Sequence, residues 1–265
     1  MSLCRAVPAR ALVPLAVALA ALAGSCTEIG TNPTVVTALE FDTLPYPAVV
    51  TGDTLRDSLG RAAPLRAIAF SATGAIVPNA AIRYYALDSG LTIDPSGIVT
   101  AQLRNGSVRV IASVPNLQSV VQHLSVSRRP DTVIVTSPTN DTLAYVLPDN
   151  AGANVSPALS LRVVTRDTAG GITGTQGWLI SYQVVFHGTS LATTDTTVAS
   201  LWDGGGHATL IDTTGVDGAA SRRLRVRPAG LPTAVESLTV IATVRYHGAS
   251  VRGSPVSFVI HTRPK

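Results

Sequence analysis

From Val36 onward the chain alternates apolar and polar residues in short runs, and each run stops at a cluster of turn formers. A period of two places successive side chains on opposite faces of an extended strand, so each run has one face to bury and one to wet. Gly52-Asp53, Val77-Pro78-Asn79, Asp94-Pro95-Ser96-Gly97, Asn105-Gly106 and Pro115-Asn116 are such breaks. Runs this short cannot bury their apolar face alone, and two packed sheets are the usual solution. Outside the first 26 residues no stretch shows a helical period of useful length, and Glu, Lys, Gln and Met are scarce. An all-β chain follows.

The runs predict strands near 36–41, 48–51, 65–70, 82–87, 98–101, 108–113 and 120–127. In the run at 108–113, Val108, Val110 and Ala112 are expected to face one way and Arg109 the other. Arg128-Arg129-Pro130 then interrupts the pattern with two charges and a proline. A second set follows near 131–136, 158–166, 178–187, 198–202, 208–211, 221–226, 238–245 and 256–261, with 143–155 left as an insertion or irregular loop. The expected division is therefore residues 35–128 and 129–265, each near the usual domain size.

The string Leu91-Thr92-Ile93-Asp94-Pro95-Ser96-Gly97-Ile98-Val99-Thr100-Ala101, followed by Asn105-Gly106-Ser107-Val108-Arg109-Val110-Ile111-Ala112, resembles the last strands of a group 2 bacterial immunoglobulin-like domain. The tryptophan usual in that family's middle strand is absent, and Tyr84 or Tyr85 stands in its place. In the second set, Leu161–Gly171 leading to Tyr182–Phe186, with the later turn Asp217-Gly218, is similar to group 1 or invasin-type domains. The resemblance implies two immunoglobulin-like β-sandwich domains in tandem, of the kind found in adhesins, spacers and envelope scaffolds.

The start of the chain is of another kind. Arg5 and Arg10 precede an apolar run, Ala11–Ala23, broken only by Pro14. At about 13 residues the run is shorter than the roughly 20 that a membrane-spanning helix needs, and it suits an export signal. Ala23-Gly24-Ser25-Cys26 resembles the lipobox of bacterial lipoproteins, with Ala23 where leucine is commoner. That resemblance implies a lipoprotein signal peptide over 1–25, lipidation of Cys26, and a tether over 26–34. The alternative is a plain secretory signal that leaves Cys26 as a thiol. The chain has one other cysteine, Cys4, inside the signal, so the processed protein would hold no internal disulfide. Thr27 rather than Asp follows Cys26, which by the same resemblance implies the outer membrane of the envelope.

The remaining residues point away from catalysis. Gly204-Gly205-Gly206 lacks the Lys and Ser/Thr of a nucleotide cradle and reads as a turn. The five histidines show no ligand spacing, although strands could bring His187-Gly188 and His247-Gly248 together. Aspartates at 53, 57, 88, 94, 203, 212 and 217 lack the alternate spacing of a calcium loop and read as turn formers. No cofactor, metal or catalytic residue is expected, and the chain is not expected to be an enzyme.

Removing the signal leaves 18 basic against 16 acidic side chains, too slight an excess for a nucleic-acid partner. One basic row stands out, Arg222-Arg223-Leu224-Arg225-Val226-Arg227. With Leu224 and Val226 facing in, Arg223, Arg225 and Arg227 are candidate contacts for a polyanion, or simply a solvated face that discourages edge pairing. The expected role is a lipid-anchored scaffold, spacer or adhesion module whose partners are the membrane and an unidentified protein or glycan. A carbohydrate-binding accessory protein using Trp178 or Trp202 as a sugar platform is the alternative.

Overall fold

The computed structural model describes residues 35–102, 106–231 and 235–265. The expected signal, Cys26 and the tether lie outside the described residues. Apart from one 3-10 turn, Pro228–Gly230, every regular element among the described residues is a strand. The first set comprises β1 (Ala38–Phe41), β2 (Ala48–Val50), β3 (Ala67–Phe70), β4 (Arg83–Ala86), β5 (Leu91–Ile93), β6 (Val99–Ala101), β7 (Gly106–Val114), β8 (Leu117–Gln118) and β9 (Gln122–Ser127). The second opens with β10 (Thr132–Val135), β11 (Asn140–Tyr145), β12 (Leu159–Arg166), β13 (Ile172–Gly174), β14 (Leu179–Phe186) and β15 (Thr189–Ser190). It closes with β16 (Ala199–Trp202), β17 (Ile211–Thr213), β18 (Ala219–Val226), β19 (Glu236–Tyr246), β20 (Ala249–Ser250) and β21 (Val256–Pro264).

The strand order is that of tandem immunoglobulin-like sandwiches. In the second, one sheet runs β10-β12-β18-β16 and the other β11-β21-β19-β14. Here the first strand of the set lies in one sheet, and the next crosses to the other to pair in parallel with the last, Asn140 opposite Val259 through Tyr145 opposite Pro264. The remaining pairs are antiparallel, in the A-B-E-D and G-F-C orders of that fold. The first sandwich repeats the device: β2-β9-β7-β4, with β2 parallel to β9. Its second layer is two short ladders, β1-β3 and β5-β6. The segment between β2 and β3 stitches them, Leu55 N donating to Val99 O and Leu65 N to Gly97 O, each at 2.9 Å.

The alternation does what the period requires. On β7, Val108, Val110 and Ala112 are fully buried and Arg109 is exposed. They pack with Leu55, Leu65, Val99 and Leu124. The second interior is built from Leu159, Leu161, Ile180, Leu201, Leu224, Leu238, Phe258 and Ile260, all at 2% exposure or less. Each such side chain contributes about 1.5–3 kcal/mol on burial.

Two expectations need correction, and one strand is added. Residues 143–155 are not wholly irregular, since β11 ends at Tyr145 with Leu143 and Tyr145 buried. Beyond it the loop is ordered by Asn154, which is fully buried. Its Oδ1 accepts from Val146 N at 2.7 Å, and its Nδ2 donates to Val146 O and Asp149 Oδ1. The run at 208–211 is displaced: the strand is Ile211–Thr213, and Ala208 makes only a bridge to Trp202. Leu91–Ile93 forms a strand, too short at three residues to show a period.

Candidate functional site: the junction between the sandwiches

Strand ladders stay within residues 38–127 or 132–264, so whatever joins the sandwiches is made by side chains and turns. Tyr46, just before β2, reaches across to the start of β14. Its hydroxyl accepts from Leu179 N at 3.1 Å and faces Leu179 O at 3.4 Å. Its ring tilts against Trp178 at 5.1 Å, and Trp178 meets Tyr246 at 6.0 Å. Trp178 is 4% exposed, and its indole N–H donates to Arg245 O at 3.1 Å. The guanidinium of Arg129, in the connecting segment, lies 5.2 Å from the Tyr246 ring centroid. Burial pushes the Tyr46 hydroxyl well above the usual tyrosine pKa, so it stays neutral and usable as donor and acceptor.

A polar cluster sits beside the aromatic one. His247 stacks on Tyr246 at 4.0 Å, and its Nε2 lies 2.5 Å from Asp53 Oδ2. Arg56 pairs with the same carboxylate at 3.2 Å, Thr54 N donates to it, and Tyr246 Oη donates at 3.4 Å. Burial alone would raise the Asp53 pKa, but the hydrogen bonds from His247, Arg56 and Thr54 outweigh it and hold the carboxyl below its ordinary value.

The backbones touch where side chains are missing. His247-Gly248 is a two-residue hairpin loop between β19 and β20, with φ of 50° and 79°, the geometry of a type I′ turn. A Cβ on Gly248 would stand 2.6 Å from Leu59 O. One on Gly60, itself at φ +83°, would stand 2.3 Å from the His247 carbonyl carbon. Gly177 packs as closely on Ser125. Only glycine permits this approach.

The junction brings together three candidates of unrelated kinds, Trp178, His247 and Asp53. Tyr46, Arg56 and Tyr246 were not singled out; the signal available was a large aromatic at a strand end beside Gly or Pro, as in Tyr46-Pro47 and Tyr246-His247-Gly248.

The other candidates are dispersed. His187 and His247 do not meet, because β14 and β19 run antiparallel with Phe186 opposite Leu238. The two His-Gly loops therefore lie at opposite ends of that sheet, and His187 pairs with Glu236 at 2.7 Å. Asp57, Asp94, Asp203 and Asp217 accept from backbone N–H groups of their own turns. Asp88 pairs with Arg109 at 2.7 Å, and that side-chain hydrogen bond lowers its pKa to about 2. Among the described residues no three His, Cys, Asp or Glu side chains are placed to hold a metal.

The arginine row is not uniform. Arg223 is exposed, but Arg225 is 4% exposed, its Nη2 donating to both carboxylate oxygens of Asp149 at 2.7 Å and its guanidinium set over the Trp202 ring. The loop at 146–154 covers that part of the outer face, so Arg225 does not stand free to meet a polyanion. Arg227 donates to Ser200 Oγ at 3.1 Å. Arg222, by the same alternation, shares the inner face with Leu224 and Val226. It pairs with Asp212 at 2.8 Å, where burial raises the Asp212 pKa more than Arg222 lowers it. Trp202 bonds Ser200 through its indole N–H at 3.1 Å.

No protein-family model matches the chain, and no curated protein sequence matches it. Solved structures do. Domains 5–6 of the S-layer protein SbsC align at 14% identity over 88% of this chain and all of that one, with a TM-score of 0.28. The Yersinia pseudotuberculosis adhesin InvE aligns at 14% identity over 85% of this chain and 58% of that one, with a TM-score of 0.32. The D0-D1 domain of intimin aligns at 14% identity over 84% and 98%, with a TM-score of 0.26. The fold assignment rests on the strand order itself: the chain is a tandem of β-sandwiches in the immunoglobulin-like order.

Proposed function

We propose that this chain is a lipid-anchored protein of the bacterial cell envelope, held at Cys26. In this reading residues 35–128 and 129–265 act as one stiff, non-enzymatic scaffold or spacer. The observation that carries it is the junction: three aromatics in tilted contact, a shared carboxylate and three close glycine contacts leave the sandwiches no free linker. Interfaces inside a chain are otherwise expected to allow relative motion. Stiffness suits a part that sets a distance from a membrane. The sugar-platform alternative loses its support at both tryptophans, since Trp178 is enclosed in the junction and Arg225 covers a face of Trp202.

The anchor is tested by growing cells with a labelled fatty acid. The label is expected on the processed chain and is expected to vanish in Cys26→Ala; an unlabelled, freely soluble product would refute the anchor. Small-angle scattering of the processed chain tests the stiffness. One fixed particle shape is expected, and a spread of inter-sandwich distances would refute the spacer.

A further inference from the structure

The two ends of the first sandwich differ in chemistry. One end is the junction, where β7 begins at Gly106 opposite Val126 and β9 carries Ser125 against Gly177. β7 runs nine residues away from it, about 30 Å at the rise of a strand. At that far end three segments converge: the entry into β1, the connection from β3 to β4, and the β7–β8 hairpin with the residues that follow it.

None of residues 35–39, 71–82 and 113–122 carries a charge. The first charged residues met on leaving this end are Glu40 and Arg83, the latter exposed at its edge opposite Ser113. Large apolar side chains stand in solvent there: Val35 at 52%, Ile76 at 63% and Val120 at 77% exposure. Scattered apolar residues on a surface need no explanation, but a whole charge-free pole bearing several is the mark of an interaction surface. The opposite extreme of the molecule is charged, with the His187–Glu236 pair, the exposed carboxylate of Asp149, Arg263 and Lys265.

What covers this pole follows from where the chain enters it. Val35 lies nine residues beyond Cys26. Eight intervening residues can span at most about 30 Å. We propose that the charge-free pole around Val35, Ile76 and Val120 is a seat for the lipid bilayer, resting directly on the membrane that Cys26 anchors. The inference rests on the anchor proposed above and adds an orientation: the long axis stands away from the membrane, apolar pole down and charged end out. An uncharged apolar surface gains by entering the interface, whereas a charged one would be repelled or would demand anionic lipid.

The test uses the processed, acylated chain, whose mass is checked first, carrying one environment-sensitive fluorophore on Val120→Cys, on Ile76→Cys, or on Thr189→Cys at the far end. Each is bound to vesicles of phosphatidylethanolamine and phosphatidylglycerol and quenched with aqueous iodide. For a label seated against lipid, quenching at positions 120 and 76 is expected to be about threefold weaker than at 189, with a blue-shifted emission. Equal quenching at all three on vesicle-bound protein overturns the seat while leaving the anchor standing. Shielding that is present without vesicles and lifts on dilution also overturns it, in favour of pole-to-pole pairing of two copies. A mass without acyl chains refutes the anchor and takes the seat with it.

Discussion

The two sandwiches share one topology but close their second layers differently. In the second, β10-β12-β18-β16 is an unbroken four-stranded sheet, and the Arg222–Asp212 pair ties the inner face of β18 to β17 in the opposite sheet. In the first, the corresponding layer is two separate two-stranded ladders joined through loop hydrogen bonds, and no ion pair crosses its interior among the described residues. The same connectivity therefore does not imply the same sources of cohesion. The first sandwich leans on its neighbour through Tyr46, Asp53 and Gly60, all in the β1–β3 region where its own sheet is broken.

That contrast can be broken or sharpened by measurement. Trp178→Ala removes the central ring of the junction and is expected to cost about 3–5 kcal/mol, as for other large-to-small changes at buried aromatics. The loss should fall mainly on the first sandwich and split one calorimetric transition into two; a single lowered transition would show that the sandwiches do not lean as argued. Arg222→Ala strands Asp212 at a buried site and is also expected to cost about 3–5 kcal/mol, while replacing both partners with apolar residues should cost much less. Here the second sandwich alone should respond in hydrogen exchange, and exchange spreading into β1–β9 would contradict the division of labour.

Acid gives the smallest effect. The Asp53 pKa is lower folded than unfolded, so its contribution is complete above the ordinary carboxylate value near 4. It is lost as pH falls through the lower folded value. Exposure of His247 limits the gain to about 1 kcal/mol or less. Asp53→Asn should flatten that acid limb of the melting profile, and an unchanged limb would remove the carboxylate from the junction.

Much of the fold was legible from period two, because strands with one buried face write that face into the sequence, as β7 and β12 do. What was not legible was short or non-local. β11 shows only Leu143 and Tyr145 on its buried side, and its partner β21 lies more than 100 residues away. Arg222 breaks the rule that inward positions are apolar, so alternation marks only the outward arginines as candidates. At the junction, Tyr46, Trp178 and Tyr246 span 200 residues, and no local pattern marks rings that meet only after both sandwiches form. Cys26 lies outside the described residues, and its reading stays with the lipobox resemblance.

The parallel seam between β11 and β21 bears on the order of events during synthesis. Until the residues around Val259 have emerged, Asn140–Tyr145 has no neighbour on that side and the second sandwich stays open. Pairings this distant in sequence form slowly. The two sandwiches thus differ in timing: the first holds all its strands once Ser127 is made, whereas the second cannot shut its seam until β21 has followed.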